Sequence, residues 1–292
     1  MLRMSAEVAR MALAVRQAGM VARRLQGRVV NEGKFDATQL PNDDDRLRSS
    51  RAAKTVVDEL AQDILILAAA EILNTHHTVL DAEENTAAAG LFSTGASNTV
   101  LVLDPVDGTV EYLEGRDSYS VCAGLIDGER LKWAIVLFPA RDRIYLLDET
   151  GHSWFGGDAL LGDSGSLQPL QGRGDLERQR IFVNGRVPAE IQDCLRAGGF
   201  RVLEDTHEGM GAPDCILSCL DTTVAYVSHT RQARDVLLGG ILGGVDGAYA
   251  VDWTGAPLSW PAGGRVPRAV FGWGTYDERL SRCLSPSGRS HR

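Results

Sequence analysis

The chain predicts an α/β fold. Apolar positions recur at helical spacing ahead of two short aliphatic strands, Thr78-Val79-Leu80 and Thr99-Val100-Leu101-Val102-Leu103. Each strand runs directly into acid, and strand and helix patterns alternate again in the second half. At 292 residues, 44% of them hydrophobic and 24% charged, there is apolar material for one large domain or two coupled ones.

Met4, Val8, Met11, Val15, Ala18, Ala22 and Leu25 follow helical spacing and predict an amphipathic first helix packed on the body. The same stretch is rich in Ala and Arg and nearly free of acid, which is also the composition of an organellar targeting peptide. Residues 42–51 are strongly charged and read as a solvated loop. Thr55 is a candidate cap for a helix over residues 57–73. His76-His77 reads as an exposed turn. Residues 119–147 alternate strand-like segments with the turn signals Asp127-Gly128, Pro139 and Arg141-Asp142, which predicts an antiparallel meander. Pro169, Gly172 and Gly174 mark residues 168–178 as the connection between an N-terminal half, 1–178, and a C-terminal half, 179–292. Beyond it come a strand at Ile181-Phe182-Val183, a helix over 190–197 and mixed signals over 216–227; residues 285–292 read as a frayed tail.

Composition narrows the function classes. A formal net charge of −9 argues against a general surface for nucleic-acid polymers, although an acidic protein can act on phosphates if a cation intervenes. No apolar run approaches the roughly 20 residues that cross a bilayer. Five cysteines, an odd number without paired spacing, argue against a disulfide framework and, with no signal peptide, for a cytoplasmic location. Cys215 and Cys219 share a helical face without a histidine pair and read as core thiols.

The acids carry the chemistry. Asp58, the stretch 81–84, the stretch 104–107 and Asp235 each lie at the edge of a predicted element. Taken singly, Asp58 is explained as well by the helix dipole as by metal binding, and Glu83-Glu84 as well by a solvated loop. Asp104-Pro105-Val106-Asp107-Gly108-Thr109 is more specific. Pro105 restricts the backbone after the first carboxylate, and Gly108 permits a sharp turn and close approach of a ligand. Two carboxylates and a carbonyl can then converge on a cation such as magnesium, which takes oxygen ligands and shares its shell with water and phosphate. A helix beginning near Thr109 would add free N–H donors to the same pocket.

Here the chain resembles the lithium-sensitive, magnesium-dependent phosphatases that include inositol monophosphatase, fructose-1,6-bisphosphatase and 3′(2′),5′-bisphosphate nucleotidase. Leu103-Asp104-Pro105-Val106-Asp107-Gly108-Thr109 is similar to their central motif, Ala82-Glu83-Glu84 to their Gly-Glu-Glu, and Thr55-Val56-Val57-Asp58 to their Thr-x-x-Asp. Arg234-Asp235 with Gly239, Gly247, Asp252, Gly255, Pro257 and Leu258 resembles their C-terminal Trp-Asp motif. The resemblance implies a five-layer α-β-α-β-α sandwich, homodimerisation, and two or three Mg2+ ions held by Glu83, Asp104, the Val106 carbonyl, Asp107 and Asp235. It places Asp58 near a further, weaker metal site, and has Thr109 orient the attacking water with Glu83 or Asp58. Gly108, Thr109 and Arg234 would meet the substrate.

Three departures concern the substrate rather than the reaction. Arg234 stands where the family has Trp, Val245 stands where it has Glu, and the stretch 223–235 reads as shorter than the family's. Thr109-Val110-Glu111-Tyr112-Leu113 resembles the Thr-Lys-Glu-Phe of the bisphosphate nucleotidase branch more than the Thr-Thr-Asn-Phe of the inositol branch. The expected activity is hydrolysis of a small phosphorylated metabolite, with a nucleoside 3′(2′),5′-bisphosphate favoured over an inositol or sugar phosphate. A phosphate-binding sensor or scaffold without catalysis is the alternative from another class.

Overall fold

A computed structural model describes residues 4–33, 54–75, 77–92, 97–157, 160, 167–172, 177–261 and 263–285. The charged loop expected at 42–51, His76, part of the expected connection (173–176) and the tail at 286–292 lie outside the described residues.

Ser5 starts α1 (Ala6–Leu25) by accepting from the Val8 amide. Thr55 starts α2 (Val56–Ala68) in a capping box whose return partner is Asp58. After the short α3 (Ala70–Thr75), strands β1 (Val79–Ala82) and β2 (Thr99–Asp107) pair in parallel and a one-turn helix, α4 (Thr109–Leu113), follows. The meander is β3 (Ser120–Asp127), β4 (Arg130–Phe138), β5 (Arg143–Leu147) and β6 (Ser153–Gly157), extended at the edge by β7 (Gln168–Pro169). The start of the expected connection is therefore the last strand of the first sheet, which runs in order β1 to β7.

The second sheet has the order β11-β12-β10-β8-β9, from β8 (Glu177–Val183), β9 (Arg201–Glu204), β10 (Thr223–Ser228), β11 (Ala248–Asp252) and β12 (Ala269–Trp273). Its helices are α5 (Ala189–Ala197), α6 (Asp205–Glu208), α7 (Ala212–Ser218), α8 (Leu237–Gly243) and α9 (Glu278–Leu284).

Strand alternation builds the layers. Leu101 and Leu103 of β2, with Ile135 and Leu137 of β4, face the core formed with α1 and α2. Val100, Val102, Ala134, Val136 and Phe138 face the opposite way, onto α7, α8 and the inner side of the second sheet at Phe182, Tyr226 and Phe271. The outer side of that sheet, Ile181, Val183, Ala225, Val227 and Val270, is covered by α5 and α9. The result is the expected α-β-α-β-α sandwich, with both sheets sharing the middle helical layer.

One expectation fails. Cys194 on α5 and Cys283 on α9 form a disulfide across 89 positions of sequence. Packing of two helices on one sheet face brings them together, and spacing along the chain carries no sign of it; the thiol count therefore says nothing about compartment. Cys215 and Cys219 are buried free thiols in the central core, as expected. Among the described residues no helix is long and apolar enough to cross a membrane.

Candidate active site

The site begins with an irregularity in β2. In a regular strand residues 104 and 107 point to opposite faces. Here Asp104 pairs with Cys122 and Asp107 with Ser120, so three steps along β2 match two along β3. The extra residue is a bulge, placed where Pro105 has no N–H to give to the ladder. It turns both carboxylates toward one cleft. Gly108 then takes a φ of 87°, and a Cβ there would lie 3.3 Å from Glu111 Oε2 and 3.4 Å from the Ser118 carbonyl. Only glycine serves both needs.

Parallel pairing of Ala82 with Leu103 sets Glu83, the residue that follows β1, beside Asp104 toward the carboxyl ends of the two strands. Asp235 arrives from a 3-10 turn, Arg234–Val236, that packs on β2. The Thr230 hydroxyl donates to its Oδ2 at 2.5 Å. Arg234 Nη1 donates to Asp81 Oδ1 at 2.9 Å, with its Nε 4.0 Å from Asp235 Oδ1. The residue that departs from the family's Trp is thus held by an acid of β1.

Glu83, Asp104, Val106, Asp107, Gly108, Thr109, Arg234 and Asp235 line one cleft of about 410 Å³. Asp58 does not: it is fully buried behind Thr109. Its Oδ2 accepts from the Thr55 amide (2.8 Å) and hydroxyl (2.7 Å), and its Oδ1 lies 3.2 Å from Thr109 Oγ1. The same Thr109 hydroxyl is 3.0 Å from the Val106 carbonyl, so its single proton has two acceptors.

The electrostatics are those of acids brought together out of water. Burial, followed by the charges of Glu83, Asp107 and Asp235, holds Asp104 well above the usual carboxylate range; Arg234 opposes this. Burial, then Asp235, Glu83, Glu111 and Asp205, does the same to Asp107. Asp235 is raised by burial, against Thr230 and Arg234. Asp58 is pushed up to about 6 by burial, against its hydrogen bonds with Thr55.

Asp104 Oδ1 and Asp107 Oδ2 are buried with no hydrogen-bond partner among the described residues. Buried carboxylate oxygens seldom stay unpartnered, and an all-oxygen donor set suits a hard divalent cation. The residues fit magnesium in chemistry. They ring the cleft rather than meet at a point: among the described residues no three His, Cys, Asp or Glu side chains are already gathered as a group that could hold a metal ion.

The far wall was not anticipated. Asn184, Arg186, Asp205, Tyr226 and Gln232 line the cleft opposite the acids. Asp205 Oδ2 accepts from Asn184 Nδ2 (3.2 Å) and the Tyr226 hydroxyl (3.0 Å), and its Oδ1 from the Gly185 amide (3.0 Å). The available signal was topological: the β8, β9 and β10 strands run parallel and their carboxyl ends open on the cleft.

The chain is similar to known proteins in sequence and in fold. Among curated relatives, the "Putative Nus factor SuhB" of Neisseria meningitidis is 27% identical over 150 residues, 51% of this chain and 46% of that protein, so the chain spans about half the length of this relative. "Inositol monophosphatase 1" of Bos taurus is 23% identical over 216 residues, 70% of this chain and 72% of that protein. Among solved structures, an IMPase of Thermotoga maritima has the same fold with a TM-score of 0.66 at 16% identity, over 94% of each chain. The inositol monophosphatase family model matches residues 6–191, from α1 through both acidic motifs of the first sheet, and the chain belongs to the inositol monophosphatase family.

Proposed function

We propose that this chain is a magnesium-dependent phosphomonoesterase acting on a small phosphorylated metabolite, with a nucleoside 3′(2′),5′-bisphosphate as the favoured substrate. The observation that carries the reading is the pair of buried, unpartnered oxygens on Asp104 and Asp107 in a cleft shared with Glu83 and Asp235. Glu83, Asp104, the Val106 carbonyl, Asp107 and Asp235 would hold two or three magnesium ions, with Asp58 beside a further, weaker site. The chemistry magnesium supplies when bound is positive charge at the phosphoryl oxygens and acidification of water.

The chain's own residues do the rest. Thr109 presents a hydroxyl to the cleft; as its oxygen takes a proton from the attacking water it passes its own to Asp58 Oδ1, which is raised enough to accept one near neutrality. Because Asp58 is buried, it acts on water only through Thr109; Glu83, which lines the cleft, is the alternative acidic partner. Gly108 lines the same cleft with no side chain to occupy it. The preference for a bisphosphate rests on the Thr109-Val110-Glu111-Tyr112 sequence and on arginine at 234.

Phosphate release from 3′-phosphoadenosine 5′-phosphate, inositol 1-phosphate and fructose 1,6-bisphosphate, with and without magnesium, tests the reading. Release from the first, dependent on magnesium, is expected. Release only from inositol 1-phosphate moves the substrate to the inositol branch. Release from none, with a phosphorylated ligand still raising the melting temperature, makes the chain a binder. Homodimerisation is part of the proposal, and light scattering that finds a monomer at every concentration removes it.

A further inference from the structure

Two arginines line the cleft in different states. Arg234 is answered by Asp81 at 2.9 Å. Arg186, exposed at the mouth on the loop after β8, has a guanidinium with no ion-pair or hydrogen-bond partner among the described residues; only its backbone amide is engaged, by Asn184 Oδ1 at 3.2 Å.

That loop is fixed from below. Asp205, itself buried, receives Asn184 and the Gly185 amide, and is braced by Tyr226. The Asn184 amide donates to the Val227 carbonyl at 2.9 Å, and the Val187 amide returns to the Asn184 carbonyl at 2.8 Å. The backbone that carries Arg186 is therefore held from both sides of a parallel strand pair. Arg186 lines the same cleft as Asp235.

A guanidinium with spare donors beside a cavity is a fork for phosphate or carboxylate. The acids on the β2 wall do not supply its partner, because they would serve the cations. The buried end of the cleft, at Asp104, is where the phosphoryl group would react, whereas Arg186 stands at the mouth. We propose that Arg186 is a specificity-determining residue that pairs with a second anionic group of the substrate, so that the preferred substrates carry two anionic groups, one of them the phosphate monoester that is cleaved. This rests on the phosphatase reading above and deepens it.

The test uses paired probes that differ by one phosphate: 3′-phosphoadenosine 5′-phosphate against adenosine 3′-monophosphate, and fructose 1,6-bisphosphate against fructose 1-phosphate. Arg186→Gln is expected to lower kcat/KM for the doubly phosphorylated member of a pair by about tenfold or more, mainly through KM, and to leave the other within about twofold. Arg186→Lys is expected to recover part of the loss. An equal loss on both members, or none on either, overturns the proposal. If wild-type protein cleaves none of the four, calorimetric binding of the same pairs with magnesium separates the two readings. A preference for the bisphosphate that Arg186→Gln abolishes upholds the role of Arg186 while the phosphatase reading falls. Absence of such a preference overturns both.

Discussion

Thr109 Oγ1 lies 3.2 Å from Asp58 Oδ1, a contact that joins the first turn of α2 to the start of α4, just past the bulged end of β2. It places a carboxylate with a pKa of about 6 one hydroxyl away from the cleft. The deprotonated form is the one that accepts a proton, so activity is expected to rise with pH through about 6. Asp58→Asn should remove that limb from the pH profile, and Thr109→Ala should cost about 10²-fold in kcat with little change in KM. A profile with the same acid limb in Asp58→Asn would assign it to another group.

Asp104, Asp107 and Asp235 all have raised pKa values, which fixes a sign for stability. The folded metal-free chain holds protons on these carboxyls that the unfolded chain releases near pH 4. Their contribution is full below that pH and is lost as pH rises through the higher folded values. The melting temperature of the metal-free protein should therefore fall from pH 5 to pH 8, and magnesium should recover more of it at pH 8 than at pH 5. Asp104→Asn should raise the metal-free melting temperature by on the order of 2–4 °C and blunt the response to magnesium. A scan with identical pH slopes in both proteins would detach the acids from the effect.

The near wall of the cleft was legible because its chemistry is local. Pro105 and Gly108 each follow one of two carboxylates three residues apart, and the aliphatic run before them reads as a strand. The five layers followed from the family resemblance, and strand alternation in β2 and β4 explains them physically. The far wall was not legible. Asp205 follows β9 directly and Tyr226 lies within β10, so their meeting depends on which strands are neighbours in the second sheet. The capping box conceals Asp58 in another way: its sequence position fits a cap, a proton acceptor and a metal ligand alike, and its burial behind Thr109 depends on the packing of α2 against the end of β2. Cys194 and Cys283 needed the packing of α5 on α9.

That disulfide makes its own prediction. It closes a loop of 89 residues, and the chain-entropy model assigns such a loop about 4–5 kcal/mol against the reduced unfolded chain. Cys283→Ser, or reduction, should lower the melting temperature. Since both helices lie on the outer face of the second sheet and neither cysteine lines the cleft, activity at 25 °C should stay within about twofold. An equal melting temperature in oxidised and reduced protein would show that the crosslink constrains nothing.

The last prediction concerns the partner of Arg234. Gly264 takes a φ of 69°, and a Cβ there would collide with the Asp81 carboxylate. Its carbonyl accepts from the Ala233 amide at 2.8 Å, immediately before Arg234. Gly264 thus holds the turn that presents Arg234 and leaves room for the acid that receives it. Gly264→Ala is expected to cost about 1–3 kcal/mol through backbone strain and displacement of Asp81. Asp81→Ala removes the acid without strain at the turn. It leaves Arg234, about four-fifths buried as a side chain, with Asp235 as its nearest carboxylate. The guanidinium would then compete with magnesium for Asp235, so Asp81→Ala should weaken the half-saturating magnesium concentration several-fold, while Gly264→Ala combined with Asp81→Ala should be less destabilised than the two single losses added. Unchanged magnesium dependence in Asp81→Ala would mean that the pair serves the fold alone.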